Sequence, residues 1–172
     1  MIQQIIDDAL AYARGFIKEG KVATYIPELA KGNPDHVGVC LVTKEGETYY
    51  AGDWQQEFTK QSISKTMSLI LALELVGYDK VFSKVGVEPT GDAFNSIVKL
   101  ETKTRHPLNP MINAGAIATA SCCVGGEDPF GRFLDLVRTL CGRDTITLNE
   151  AVYLSEKKAG MRNRAMAYLM QS

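Results

Sequence analysis

The apolar stretch from Met67 to Val76, led in by Phe58-Thr59-Lys60-Gln61-Ser62-Ile63-Ser64-Lys65 and stopped by Gly77, leaves this chain least freedom. It reads as a helix that ends at the glycine. On a helix, residues three apart share a face, so the Ser62 hydroxyl and the Lys65 ammonium can approach each other at its start. That spacing suits a base-activated serine. A free hydroxyl is a weak nucleophile, and a lysine half-desolvated in a pocket can lose its proton and then take one from the serine. The helix N-terminus adds partial positive charge and free N–H groups beside a developing oxyanion. Ser-x-x-Lys also recurs by chance on solvated helix faces, so the pair alone leaves an ordinary surface reading open.

Around this helix the pattern alternates between helical and strand periods. Ile2, Ile5, Ile6, Ala9, Leu10, Ala13, Phe16 and Ile17 repeat at helical spacing until Gly20 and predict an amphipathic helix. The runs Val37 to Thr43 and Glu47 to Ala51 flank Lys44-Glu45-Gly46 and read as a β-hairpin closed by Gly52-Asp53. From Lys80 to Pro110, Gly86, Pro89, Gly91, Pro107 and Pro110 interrupt the apolar residues, which predicts a short helix and then a long irregular connection of the kind that lines sites. Ala114 to Val124, rich in small residues, reads as a closely packed helix ended by Gly125-Gly126. Phe130, Phe133, Leu134, Val137 and Leu140 mark another up to Gly142. Thr147 with Glu150 forms a capping box for a helix ending near Gly160, and a last helical piece follows from Arg162. No repeat, linker or low-complexity tract marks a second domain.

Composition narrows the class. With 172 residues and 45% hydrophobic content the chain can bury one core. A net charge of −1, with Lys and Arg scattered, gives no electrostatic footprint for nucleic acid or anionic lipid. There is no apolar run of membrane-span length, and Asp7 and Asp8 come early where a signal peptide would be basic and apolar, so a cytoplasmic location is expected. Cys40, Cys122, Cys123 and Cys141 fit neither a metal pattern nor a disulfide framework and are expected as small buried side chains in a reducing compartment. His36 and His106 read as surface residues without the partners of a metal site. By residue type alone Glu156 is a solvated helix charge, Asn109 and Asn113 are loop or cap residues, and Tyr25 is a half-buried aromatic at a turn.

Six segments occur in a telling order: Tyr25-Ile26-Pro27-Glu28-Leu29-Ala30-Lys31, Gln61-Ser62-Ile63-Ser64-Lys65, Val85-Gly86-Val87-Glu88-Pro89-Thr90-Gly91, Phe94-Asn95-Ser96, Asn109 through Ala116, and Ser155 through Asn163. In this order, and from about Lys21 onward, the chain closely resembles the serine-dependent glutaminases. That family has a fold similar to the serine β-lactamases and penicillin-binding proteins. The resemblance implies an α+β, transpeptidase-like fold in which an antiparallel sheet is flanked by helices. It also implies an amidohydrolase that converts L-glutamine and water to L-glutamate and ammonia through an acyl-enzyme on Ser62, with Lys65 as base. Glu156 would bind the α-ammonium, Asn113 and Asn163 would contact substrate, and Tyr25 would stand at the pocket wall. Gln61 and Ser62 complete the substrate-binding set, and Asn109 is left as a cap or turn. A zwitterionic amino acid needs one anion and several donors to fix its side-chain amide at the nucleophile, and these are the right types. Acyl transfer of this sort needs no metal or organic cofactor. A homo-oligomer, dimer or tetramer, is expected, with no nucleic-acid or membrane partner.

Two departures stand out. Lys60 occupies a position where the resemblance implies an apolar residue. The chain also ends at Met170-Gln171-Ser172, inside an expected helix, whereas the resembling domain continues with further strands, helices and tyrosines, one of which is thought to serve the Ser-Lys pair in proton transfer. Residues 1–172 are therefore expected to form the N-terminal part of a glutaminase domain, truncated at its C-terminus. Two alternatives remain at this level: another serine acyl-transfer enzyme of β-lactamase type, or an inactive remnant that acts only in association.

Overall fold

The structure, a computed structural model, describes residues 1–97 and 105–171. Part of the expected connection, 98–104, and the terminal Ser172 lie outside the described residues. In chain order the elements are α1 (Ile2–Arg14), β1 (Gly38–Val42), β2 (Thr48–Gly52), α2 (Ile63–Phe82), α3 (Asn113–Ser121), α4 (Pro129–Cys141), α5 (Glu150–Ala159) and α6 (Met161–Gln171). Short 3₁₀ turns add Ile17–Glu19 and Pro27–Lys31. The chain divides into two compact units, 1–59 with 150–159, and 60–149 with 160–172. Among the described residues no helix is long and apolar enough to cross a membrane.

In the first unit, β1 and β2 pair antiparallel with Cys40 opposite Tyr50, around a turn in which Gly46 adopts φ 86. That left-handed value favours glycine, and the Gly46 N–H closes the turn on the Thr43 carbonyl. α1 packs on this hairpin, burying Ile6, and the Gln3 amide donates to the Tyr50 carbonyl. α1 ends at Arg14 rather than near Gly20: Gly15 weakens the helix there and the chain tightens into the 3₁₀ turn at Ile17–Glu19. At the open end of the hairpin Asp53 accepts from the Val37 N–H and pairs with Arg14 at 3.1 Å. Those two donors hold its carboxyl below the usual carboxylate range, the backbone N–H foremost. α5 joins this unit through the Ser155 hydroxyl, which accepts from the Glu28 N–H.

The second unit is helical. α2 breaks where its sequence stops it, at Gly77 with φ 79 and ψ 169, and resumes for one more turn. Leu71, Ala72, Val81, Val85 and Cys123 are buried together, with Leu69, Leu73, Phe82, Phe133 and Leu136 packed against them. α3 approaches its surroundings closely, as its small residues predict. A β-carbon at Gly115 would fall inside the Asn109 carbonyl, so only glycine admits this approach. α6 then seats Met166, fully buried, against Ala114. Asp128 caps α4 by accepting from the Gly131 N–H, and Gly142 closes it in the left-handed conformation, as the glycine stop predicts.

Four expectations need correction. Cys40 and Cys141 are exposed and only Cys123 is buried, because among the described residues nothing covers Cys40 on β1 or Cys141 on the last turn of α4. Thr147 does not cap α5: the helix starts at Glu150, which puts Asn149 at the cap position. Tyr25 is 67% exposed rather than half-buried. His106 is partly buried, beside the buried Pro107.

Candidate active site

Ser62 is the residue immediately before α2, with φ −65 and ψ −9, and its hydroxyl makes no capping bond to its own helix. The chain reaches it through Gln61, whose φ of 45 is unusual for a residue with a β-carbon. Three bonds wind the first turn: Ile63 N–H to the Lys60 carbonyl, Ser64 N–H to Gln61 and Lys65 N–H to Ser62, at 3.2, 3.0 and 3.1 Å. The Ser64 hydroxyl adds a 2.7 Å bond to the Gln61 carbonyl. Ser62 is thus presented at the open end of a helix and remains exposed.

Lys65, one turn on, is half-buried. Its ammonium donates to the Met111 carbonyl at 2.9 Å and to Asn113 Oδ1 at 2.8 Å. Both acceptors are neutral, and among the described residues Lys65 makes no ion pair. Burial lowers its pKa from the ordinary lysine value. The Phe94 ring lies 5.6 Å from the ammonium. Asn113 opens α3, its own N–H donating to the Phe94 carbonyl. Its amide nitrogen donates to Asn163 Oδ1 at 3.1 Å, and Asn163 sits in the first turn of α6. Lys65, Asn113 and Asn163 therefore form one hydrogen-bonded line across three helices. The neighbouring Arg162 guanidinium donates to the Asn95 carbonyl, which pins the Phe94-Asn95 segment to α6.

The two remaining sequence-predicted residues belong to the first unit. Glu156 is exposed on α5 and no hydrogen bond or ion pair of it occurs among the described residues. Tyr25 precedes the 3₁₀ turn that the Glu28–Ser155 bond ties to α5, so both residues flank that bond in sequence. Asn109 is a turn residue, as expected: its Oδ1 accepts from the Met111 and Ile112 N–H groups and its amide donates to the Glu88 carbonyl.

Sequence reasoning missed two contacts. The Met111 carbonyl that holds Lys65 is backbone and carries no residue-type signal. Phe94 belonged to a segment already noted, but nothing in its spacing pointed at Lys65. Among the described residues no group of three His, Cys, Asp or Glu is placed to hold a metal ion.

This arrangement can be set beside known proteins. The glutaminase family model matches residues 20–172. Glutaminase 2 of Clostridium perfringens (strain 13 / Type A) is 49% identical over 174 residues, covering 99% of this chain and 57% of its own length. The solved structure of the probable glutaminase ybaS superposes with a TM-score of 0.90 at 38% identity, over 98% of this chain and 55% of that one. The Bacillus subtilis glutaminase YbgJ, solved as the covalent complex with 5-oxo-L-norleucine formed by reaction with 6-diazo-5-oxo-L-norleucine, superposes with a TM-score of 0.84 at 35% identity, over 99% and 53%. The chain thus spans about half the length of the relatives it matches and adopts the corresponding part of their α+β fold. It belongs to the glutaminase family.

Proposed function

We propose that this chain carries the nucleophile, the base and part of the substrate pocket of an enzyme that hydrolyses L-glutamine to L-glutamate and ammonia. The observation that carries the reading is the state of Lys65. Its ammonium is half-buried, held by two neutral oxygens, pairs with no carboxylate among the described residues and has a lowered pKa, which is what a lysine that must give up and regain a proton requires.

In the proposed reaction Lys65, deprotonated, takes the proton of Ser62 Oγ as the oxygen attacks the side-chain carbonyl of glutamine. The negative charge that develops on that carbonyl oxygen lies at the start of α2, where N–H groups such as that of Ser62 point outward. Lys65 returns the proton to the departing ammonia. Water then attacks the acyl group on Ser62 by the same route and releases glutamate. Asn163 keeps its amide nitrogen for the substrate carboxylate while its oxygen engages Asn113. By the resemblance, Glu156 supplies the anion for the α-ammonium, Tyr25 belongs to the pocket wall and Gln61 to the substrate contacts.

The free state of the cysteines fits a reducing cytoplasm. Exposed Ile5 and Tyr12 on α1, with Phe16 just beyond its end, support a homo-oligomer, a dimer or tetramer. The reading is tested with purified protein by ammonia release from L-glutamine and by the covalent mass added with 6-diazo-5-oxo-L-norleucine. Ser62→Ala should abolish both while leaving the helical signal intact. Retained turnover or labelling in that variant would remove Ser62 as the nucleophile.

A further inference from the structure

Lys60 stands two residues before Ser62, where the family resemblance implied an apolar side chain, and the structure gives it an unexpected setting. It is half-buried, yet makes no ion pair among the described residues. Its ammonium lies 4.3 Å from the centroid of the Phe133 ring on α4 and 3.5 Å from Met67 Sδ on α2. An ammonium drawn out of water without a counter-ion is held only if something compensates it, and here the compensation is a ring face and a thioether. Phe133 in turn packs on the buried group around Leu71 and Ala72, so this anchor is tied to the core.

The backbone at the same point is strained. Gln61 carries a β-carbon at φ 45, which an L-residue adopts at a cost. Such a conformation persists only where its surroundings over-determine it. On its C-terminal side Gln61 is locked by the bonds its carbonyl accepts from Ser64. On its N-terminal side the neighbouring anchor is the Lys60 side chain, while the Lys60 carbonyl begins the helical ladder by accepting from Ile63.

We propose that Lys60 is a positioning residue: clamped between Phe133 and Met67, it holds the strained Gln61 turn and so fixes where Ser62 is presented. This rests on Ser62 being the nucleophile, and the test separates the two. Purified chain labelled with ¹³C and ¹⁵N is compared with Lys60→Met, Lys60→Ala and Phe133→Leu, the Met variant keeping the unbranched stem and losing the cation. The Lys60 ε resonances should be shifted upfield by the ring in the parent and lose that shift in Phe133→Leu. Amide exchange at Ile63, Ser64 and Lys65 should quicken by about two- to fivefold in Lys60→Met, the worth of an exposed cation–π contact. It should quicken more in Lys60→Ala, with Leu71 unchanged in both. The rate of labelling by 6-diazo-5-oxo-L-norleucine should fall in the same order, at unchanged half-saturation. Unchanged exchange at the three amides would overturn the proposal, as would an equal rise at Leu71, which would make Lys60 a general packing residue. If the parent chain takes no label, the nucleophile reading fails, and the exchange comparison still decides whether Lys60 holds the turn.

Discussion

Replacing Asn113 by Asp changes one side-chain group at nearly constant shape and puts a carboxylate where Lys65 now meets a neutral oxygen. At 2.8 Å the added attraction is about 6 kcal/mol at an effective dielectric of about 20. Water reaches Lys65, however, and exposed pairs contribute only about 0.2–1 kcal/mol. An intermediate value of about 1.4 kcal/mol raises the Lys65 pKa by about one unit. The substitution also removes the donor to Asn163 and sets two oxygens against each other, which loosens the α3–α6 end of the line. A protonated Lys65 is no base, so the acidic limb of the kcat/KM profile for glutamine should move to higher pH by the same unit. Titration of ¹³C-labelled lysine measures the shift directly, without turnover. Folding stability supplies a further check. Because burial lowers the folded-state pKa of Lys65, the unfolded chain holds that proton more tightly, and stability rises with pH between the lowered value and the ordinary one. Asn113→Asp should flatten that rise. A Lys65 titration that stays put or moves down would refute the hydrogen-bond geometry on which the argument stands.

Other changes probe the scaffold. Gly115→Ala drives a β-carbon into the Asn109 carbonyl and should lower stability by about 1–3 kcal/mol in urea unfolding, and an unchanged midpoint would show that α3 does not approach this closely. The Thr119 hydroxyl is buried with no hydrogen-bond partner among the described residues, so Thr119→Val should raise stability by about 1 kcal/mol in a thermal melt, and a loss would mean that the hydroxyl is satisfied. Asp53 has a folded pKa below its unfolded value, so its contribution is present above the unfolded carboxylate range and disappears as pH falls through the folded value. Asp53→Asn should therefore flatten the acid side of the stability profile, and an unaltered acid limb would remove the Val37 and Arg14 contacts as its cause.

Local order was legible wherever the physics is local. The helical period of α1 and α4, the glycine breaks at Gly77 and Gly142, and the hairpin around Gly46 each follow from contacts within a few residues, and the structure carries them. Ser62 and Lys65 could be singled out for the same reason, since three residues of helix bring them to one face. What that spacing left open was the company Lys65 keeps. Its acceptors at Met111 and Asn113 lie 46 and 48 residues away, and Asn113 meets Asn163 across 50 more. Those distances close only because α3 packs against α2 and α6, with Ala114 against Met166 and Gly115 pressed on the Asn109 carbonyl, a matter of side-chain volumes that no periodicity records. The same holds for the errors. Cys40 and Cys141 are apolar enough for a core by composition, but which face of a strand or which turn of a helix is covered depends on what packs there. Lys60 looked like a charge in an apolar position until tertiary packing half-buried it and set its ammonium over the ring of Phe133.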